Sequence, residues 1–239
     1  MTRDERMAAL HALYDQYDGC ERCGLCRPEG RNRQHVVFGS GNVEARVLIV
    51  CEAPDHNDDA EGHIMSGPTG ELVDMFLDGV KATRDDVFLS YMVMCRPTKA
   101  DAPNVTRTPT AEEVKACRER LDRVIDIVDP LVILLLGKVA FKTLTDSKKT
   151  ITRVARDPTI PLFWASNMGT CIPVKRSAFA TFHPMVLLRQ YQDDGEAAFF
   201  RPGGDAQLAY YAFSKAFQVS DMHHHLNTGA DIPVRSTDD

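Results

Sequence analysis

Two uninterrupted apolar runs, Arg46–Cys51 (RVLIVC) and Leu131–Leu136 (LVILLL), constrain the fold of this chain more than any other feature. Neither alternates polar with apolar residues, so a strand made from either must be covered on both faces, as in a parallel sheet flanked by helices. Asp86–Val93 (DVFLSYMV) and Ala178–Phe182 supply two further strand candidates. Helical patterns separate them. Residues 2–17 carry Met7, Leu10, Leu13 and Tyr14 at helical spacing, and Glu71–Val80 carries Leu72, Met75 and Phe76 on one face. Thr110-Ala-Glu-Glu113 matches a capping box, opening a helix with Val114, Cys117, Leu121, Val124, Ile125 and Val128 on one stripe. A short helix with Phe141 and Leu144 follows Gly137, and Asp205–Val219 closes the pattern with Leu208, Tyr211, Phe213 and Phe217. Strand and helix alternate throughout, which predicts an α/β fold with a mostly parallel central sheet. One domain over 1–219 and a mobile tail over 220–239, where the periodicity fades, are the expected organisation.

With 239 residues, 44% of them hydrophobic and 26% charged, the chain can bury a core without disulfides. This composition excludes collagen-like, low-complexity and wholly disordered classes. No apolar run approaches the roughly 20 residues of a membrane span. The charged start MTRDERMAAL lacks the apolar stretch of a secretory signal. A soluble, cytoplasmic protein without a membrane partner is expected. The formal net charge of −6 excludes a surface that is basic all over but leaves local basic patches open.

Seven cysteines form no even disulfide framework, and their clustering points to metal or redox chemistry. Cys20-x-x-Cys23 is a chelating pair, and Cys26 adds a second, overlapping one. Cys95 sits just past a strand candidate and Cys117 on the apolar face of the capped helix. Four thiolates from such separate segments can hold a [4Fe–4S] cluster or a structural zinc, while buried core thiols are the plain alternative for Cys95 and Cys117. Cys51 and Cys171, in or beside strand-like runs, read as core.

In parallel sheets, sites gather beyond the carboxyl ends of the strands. The loops after Cys51, Val93 and Phe182 hold the unusual residues. Read in order, they are Cys20-x-x-Cys23, Val37-Phe38-Gly39-Ser40-Gly41-Asn42, Cys51-Glu52-Ala53-Pro54 with Asp58-Asp59, and Gly67-x-x-Gly70-Glu71-Leu72. Cys95-Arg96-Pro97, Cys117, Leu136-Gly137 and His183-Pro184-x-x-Leu187-Leu188 complete the set. This ordered set resembles the family-4 uracil-DNA glycosylases, the iron–sulfur branch of that superfamily, over about Cys20 to Arg189.

The resemblance implies a three-layer α/β/α domain with a mostly parallel four-stranded central sheet. It implies a [4Fe–4S] cluster, favoured over zinc, on Cys20, Cys23, Cys95 and Cys117, with Cys26 competing for a place in the first pair. It implies base excision from DNA by cleavage of the N-glycosidic bond of uracil or a related base, with Glu52 and His183 as catalytic residues. Ala53, Pro54, Asp55, Met65 and Tyr91 would meet the substrate base. Partners would be single- or double-stranded DNA, with replication or repair proteins in addition. Arg27, Arg31, Arg33, Lys138, Lys175, Arg176 and Arg189 are the candidates for phosphate contact.

Departures from the family pattern fall on the pocket. Cys51 and Asp55 stand where the family has glycine, Met65 where it has a stacking phenylalanine, and Tyr91 where it has a base-reading asparagine. A hydroxyl cannot reproduce the paired donor and acceptor of an amide. The alternatives these changes raise are a different or modified base, or a non-catalytic DNA-binding or replication-associated module that keeps fold and cluster. A zinc-stabilised protein unrelated to nucleic acid is a third.

Overall fold

The computed structural model describes residues 1–26, 36–145, 147–157, 162–164, 176–195, 199 and 201–229. Six strands occur among the described residues: β1 (Ser40–Gly41), β2 (Val47–Cys51), β3 (Val87–Tyr91), β4 (Val132–Leu136), β5 (Leu162–Trp164) and β6 (Arg176–Thr181). Every residue of β2, β3 and β4 is buried, which is why their sequences carry no alternation. The sheet order is β1-β3-β2-β4-β6-β5. The expected four strands form its parallel centre, pairing Val47 with Val87 and Val132, and Val132 with Ser177. Two antiparallel edges were not foreseen: β1 on β3 and β5 on β6. With two and three residues, these edges are too short to carry a periodicity.

The helices are α1 (Arg3–Asp15), α2 (His56–Glu61), α3 (Pro68–Gly79), α4 (Ala111–Val128), α5 (Lys138–Leu144), α6 (Ile151–Arg156), α7 (Pro184–Asp194) and α8 (Asp205–Thr228). Leu48, Val50, Phe88, Ile133 and Leu135 face one core, with side chains of α1, α4, α5 and α6. Val47, Ile49, Val87, Leu89 and Leu134 face the other, with α3, α7 and α8. This is the three-layer arrangement expected. Each fully buried Val, Leu or Ile contributes about 1.5–3 kcal/mol.

The capping box of α4 is present: Glu113 N–H donates to Thr110 Oγ1 at 3.2 Å, and Thr110 N–H donates to the Glu113 carboxylate at 2.7 Å. Helix α3 begins at Pro68, before the expected Glu71, because proline suits a first helical turn whose N–H groups have no partner. Met75 and Tyr211, expected on buried faces, are 40% and 45% exposed. The tail expected from residue 220 is helical as far as Thr228. Ser220 and Asp221 are buried there, and Asp221 pairs with Arg46 at 3.2 Å, which extends α8 beyond the apolar pattern. Residues 230–239 lie outside the described residues, as do Arg27, Arg31, Arg33, Cys171 and Lys175. Among the described residues, no helix is long and apolar enough to cross a membrane.

Strand β3 lies on one side of β2 and β4 on the other. The chain therefore reverses its direction of winding between β2 and β4. A crevice opens at the carboxyl ends of such neighbours, because their connections leave over opposite faces.

Candidate active site

A cavity of about 490 Å³ occupies that crevice. Its lining includes all seven residues assigned to catalysis or base contact from sequence: Glu52, Ala53, Pro54, Asp55, Met65, Tyr91 and His183. Sheet pairing continues past the end of β2, through Met92 N–H to Cys51 O (2.9 Å) and Val93 N–H to Glu52 O (3.3 Å). The backbone of Glu52 is thus fixed by the sheet, although Glu52 lies beyond the strand. On the opposite wall, Gly137 follows β4 with φ +95°, and a Cβ there would come within 3.1 Å of the His183 side chain. Glycine allows both the backbone turn and the close approach.

His183 caps α7. Its Nδ1 accepts a hydrogen bond from Met185 N–H at 3.1 Å, and its Nε2 lies 3.2 Å from Cys51 Sγ. A ring nitrogen that accepts carries no proton, so the neutral ring bears its hydrogen on Nε2. Burial lowers the His183 pKa to about 4, and the positive charge of Arg189 adds to the effect. At neutral pH His183 is therefore an uncharged donor. Burial pushes the Glu52 carboxyl above its usual range, while the Thr108 hydroxyl draws it back down. Cys51 is the core thiol expected, 2% exposed, and it also lines the cavity. Burial raises its pKa, so it stays protonated.

The polar groups of the three other unusual pocket residues are engaged by neighbouring protein groups. Asp55 caps α2, its Oδ1 accepting from Asn57 N–H (2.8 Å) and Asp58 N–H (3.2 Å), and its Oδ2 from the Thr69 hydroxyl (3.2 Å). Tyr91 donates its hydroxyl hydrogen to buried Asp58 at 2.7 Å and accepts from Met65 N–H at 3.3 Å. Asp58 also accepts from Ser66 N–H at 2.9 Å. Met65 has φ 54°, a strained backbone for a non-glycine residue. Its carbonyl takes a 2.7 Å bond from Arg84, which is itself paired with Asp74. A Cβ on Gly70 would lie 1.9 Å from that carbonyl, so only glycine fits there. Asp58 and Arg84 were assigned no role from sequence, because their spacing says nothing of these distant partners.

The segment after Cys95 closes another side. Thr98 and Thr106 form an antiparallel bridge, and Arg107 N–H bonds to Pro97 O at 2.9 Å. Arg96, only 4% exposed, holds this hairpin through Thr106 Oγ1 (2.8 Å) and Asn104 O (2.7 Å) and reaches His56 Nδ1 (3.2 Å). Asn104, Thr106, Arg107 and Thr108 line the cavity from it. Lys138 and Arg189, both exposed, stand on the lining as cations.

Cys20, Cys23, Cys95 and Cys117 are present as thiols. Cys20 and Cys23 pack with Cys95, Leu25 and Val36 in one small cluster. Burial raises the Cys23 pKa, Leu25 N–H opposes this, and charge on Cys117 and Cys20 adds to the rise. Among the described residues, no three His, Cys, Asp or Glu side chains form a closed cage for an ion. The side chain of Cys26 lies outside the described residues. The chemistry of the donors suits a thiolate-held centre: Cys20, Cys23 and Cys95 share one cluster, Cys117 lies on α4, and all four are free thiols. A second feature points the same way: buried Arg120, on α4 one turn past Cys117, has an Nε without a hydrogen-bond partner among the described residues.

The family model for the uracil DNA glycosylase superfamily matches residues 38–202. The type-4 uracil-DNA glycosylase of Thermotoga maritima is 35% identical over 194 residues, covering 81% of this chain and 88% of that protein. The enzyme of the same name from Pyrobaculum aerophilum is 31% identical, covering 83% of this chain and 97% of its own. That from Sulfurisphaera tokodaii is 31% identical, covering 76% and 77%.

Proposed function

The chain belongs to the uracil-DNA glycosylase superfamily, on its type-4 branch, and from that premise we propose that it excises uracil or a closely related base from DNA. One observation carries the reading: His183 Nε2–H and Glu52 line the same cavity, with the histidine held neutral by its bond from Met185. A base turned out of the helix enters the cavity and displaces the Cys51 thiol as partner of Nε2–H. As the C1′–N bond breaks, its electron pair leaves with the base. Nε2–H then donates to a base carbonyl oxygen on which negative charge grows. The Glu52 carboxylate faces the positive charge on the sugar and accepts a proton from the water that bonds to C1′. The released base takes its proton from solvent.

Tyr91 contributes its ring as a wall and offers no base-reading polar group, since its hydroxyl is engaged by Asp58 and Met65. Discrimination among pyrimidines therefore falls on the His183 donor, on the other polar side chains of the lining and on cavity shape rather than on an amide at position 91. Cys20, Cys23, Cys95 and Cys117 would hold a [4Fe–4S] cluster, which supplies a cross-link between the N-terminal loop, the segment after β3 and α4.

The test is base release from labelled oligonucleotides carrying uracil, deaminated purines or 5-modified pyrimidines, in single and double strands. Glu52→Gln should lower the rate by about 10²–10⁴-fold with an unchanged circular dichroism spectrum. Equal rates in wild type and variant would remove Glu52 from the mechanism. Salt-sensitive DNA binding without release of any base would replace excision with the non-catalytic module.

A further inference from the structure

Among the described residues, the side chain of Arg120 is the largest that is fully buried, with 0% exposure. Its Nη1 donates to Ser90 Oγ at 2.9 Å, and its Nη2 donates to Tyr91 O at 2.6 Å and Met92 O at 3.4 Å. All three acceptors are neutral. Nε has no hydrogen-bond partner among the described residues. A buried guanidinium held only by neutral groups costs several kcal/mol, and a hydrophobic residue of similar volume would avoid the cost. The position is thus expensive unless a negative charge arrives beside it.

The surroundings say where that charge would come from. Arg120 follows Cys117 by three positions on α4, so the two share a helix face. The carbonyls it holds end β3 and lead directly to Cys95. The groups that favour its charge are Cys117, Tyr14, Tyr17 and Cys95. Tyrosines stay neutral at physiological pH, whereas cysteines become anions when they bind a metal centre.

We infer that Arg120 is a built-in countercharge to the centre held by the cysteines, joining the two segments that carry Cys95 and Cys117 and favouring retention of the bound cluster. The inference rests on the cluster assignment above. Arg120 is a positioning residue: it touches neither base nor sugar, and its effect is on the centre.

A merely structural arginine would stabilise the protein equally with and without iron. A countercharge would not. The experiment compares wild type, Arg120→Met and Arg120→Gln, each purified anaerobically and then either left intact or stripped of iron with a chelator. Iron content, visible absorbance, thermal unfolding midpoint and reduction potential are measured. Stripping should lower the midpoint much more in wild type than in either variant. Stripped Arg120→Met should match or exceed stripped wild type, while the intact variants lose iron several-fold faster and show a lower reduction potential. Equal midpoint losses in all three proteins, with equal iron retention, would overturn the role of Arg120. Failure of both variants to fold while stripped wild type folds would overturn it too, since the residue would then be needed without the cluster. Wild type that takes up no iron would overturn the cluster assignment and this inference with it.

Discussion

His183 carries its proton on the nitrogen that faces the cavity. The Met185 N–H fixes Nδ1 as an acceptor, so Nε2–H faces Cys51 and the cavity. Its burial has a consequence for stability. In the unfolded chain the ring titrates near 6.5, and in the folded protein at about 4. Between these values the unfolded state binds a proton that the folded state refuses, so stability from this group is complete above pH 6.5 and is lost as pH falls toward 4. Thermal unfolding of wild type should therefore fall from pH 7 to pH 4.5 more steeply than that of His183→Gln, and parallel curves would show that the ring is freely protonated in the native state. Glu52 and His183 were picked out in the sequence by their match to the family's motifs at the ends of strand runs. Their environments were not. Asp55 was expected to meet the base and does line the cavity, with its carboxylate engaged by the cap of α2 and by Thr69. Tyr91 lines the cavity as expected, and its hydroxyl is held by Asp58, 33 positions away in sequence. Periodicity and spacing report which face a residue takes, not which distant partner claims its polar atoms.

The elements that shape the cavity differ in how they are held. β2, β3 and β4 are buried along their full length, so the carboxyl ends that present Cys51, Tyr91 and Gly137 are rigid. This much was readable in the sequence, because a strand covered on both faces leaves a continuous apolar run. The edges β1 and β5 and the hairpin after Cys95 left no such trace; their order comes from pairing with neighbours and from single side chains. In the hairpin, Arg96 holds Asn104 O and Thr106 Oγ1 and reaches His56 on α2. Arg96→Ala would remove these bonds; Asn104 and Thr106 are exposed, so water can reach the freed oxygens and the cost is that of the lost hydrogen bonds, about 0.5–1.5 kcal/mol each. Amide hydrogen exchange should then quicken at Lys99 and Arg107, whose N–H groups bond across the hairpin to Val105 O and Pro97 O. Amides in β3 should keep their protection, since the sheet does not depend on this arginine. Uniformly faster exchange would mean that Arg96 supports the whole fold.

At the scale of the whole molecule, the net charge of −6 opposes the approach of DNA, so attraction must be local to the face that carries the cavity. Lys138 and Arg189 are the described cations that both line the cavity and stand exposed. Arg96 is excluded from phosphate contact by its burial, and Arg107 by its bidentate pairing with Glu113 at 2.7 and 2.8 Å. Each phosphate neutralised by a side chain releases about one counterion, and affinity falls with salt accordingly. Replacing Lys138 and Arg189 together by alanine should therefore reduce the slope of log affinity against log salt by about 1.4–1.8, the lower figure applying to single strands. The loss should be the same for DNA with and without the target base, because phosphate contacts carry no base information. Fluorescence anisotropy across a salt series would measure both slopes. An unchanged slope would move the DNA track to another face of the protein, whereas a loss confined to DNA bearing the target base would make these cations part of base recognition.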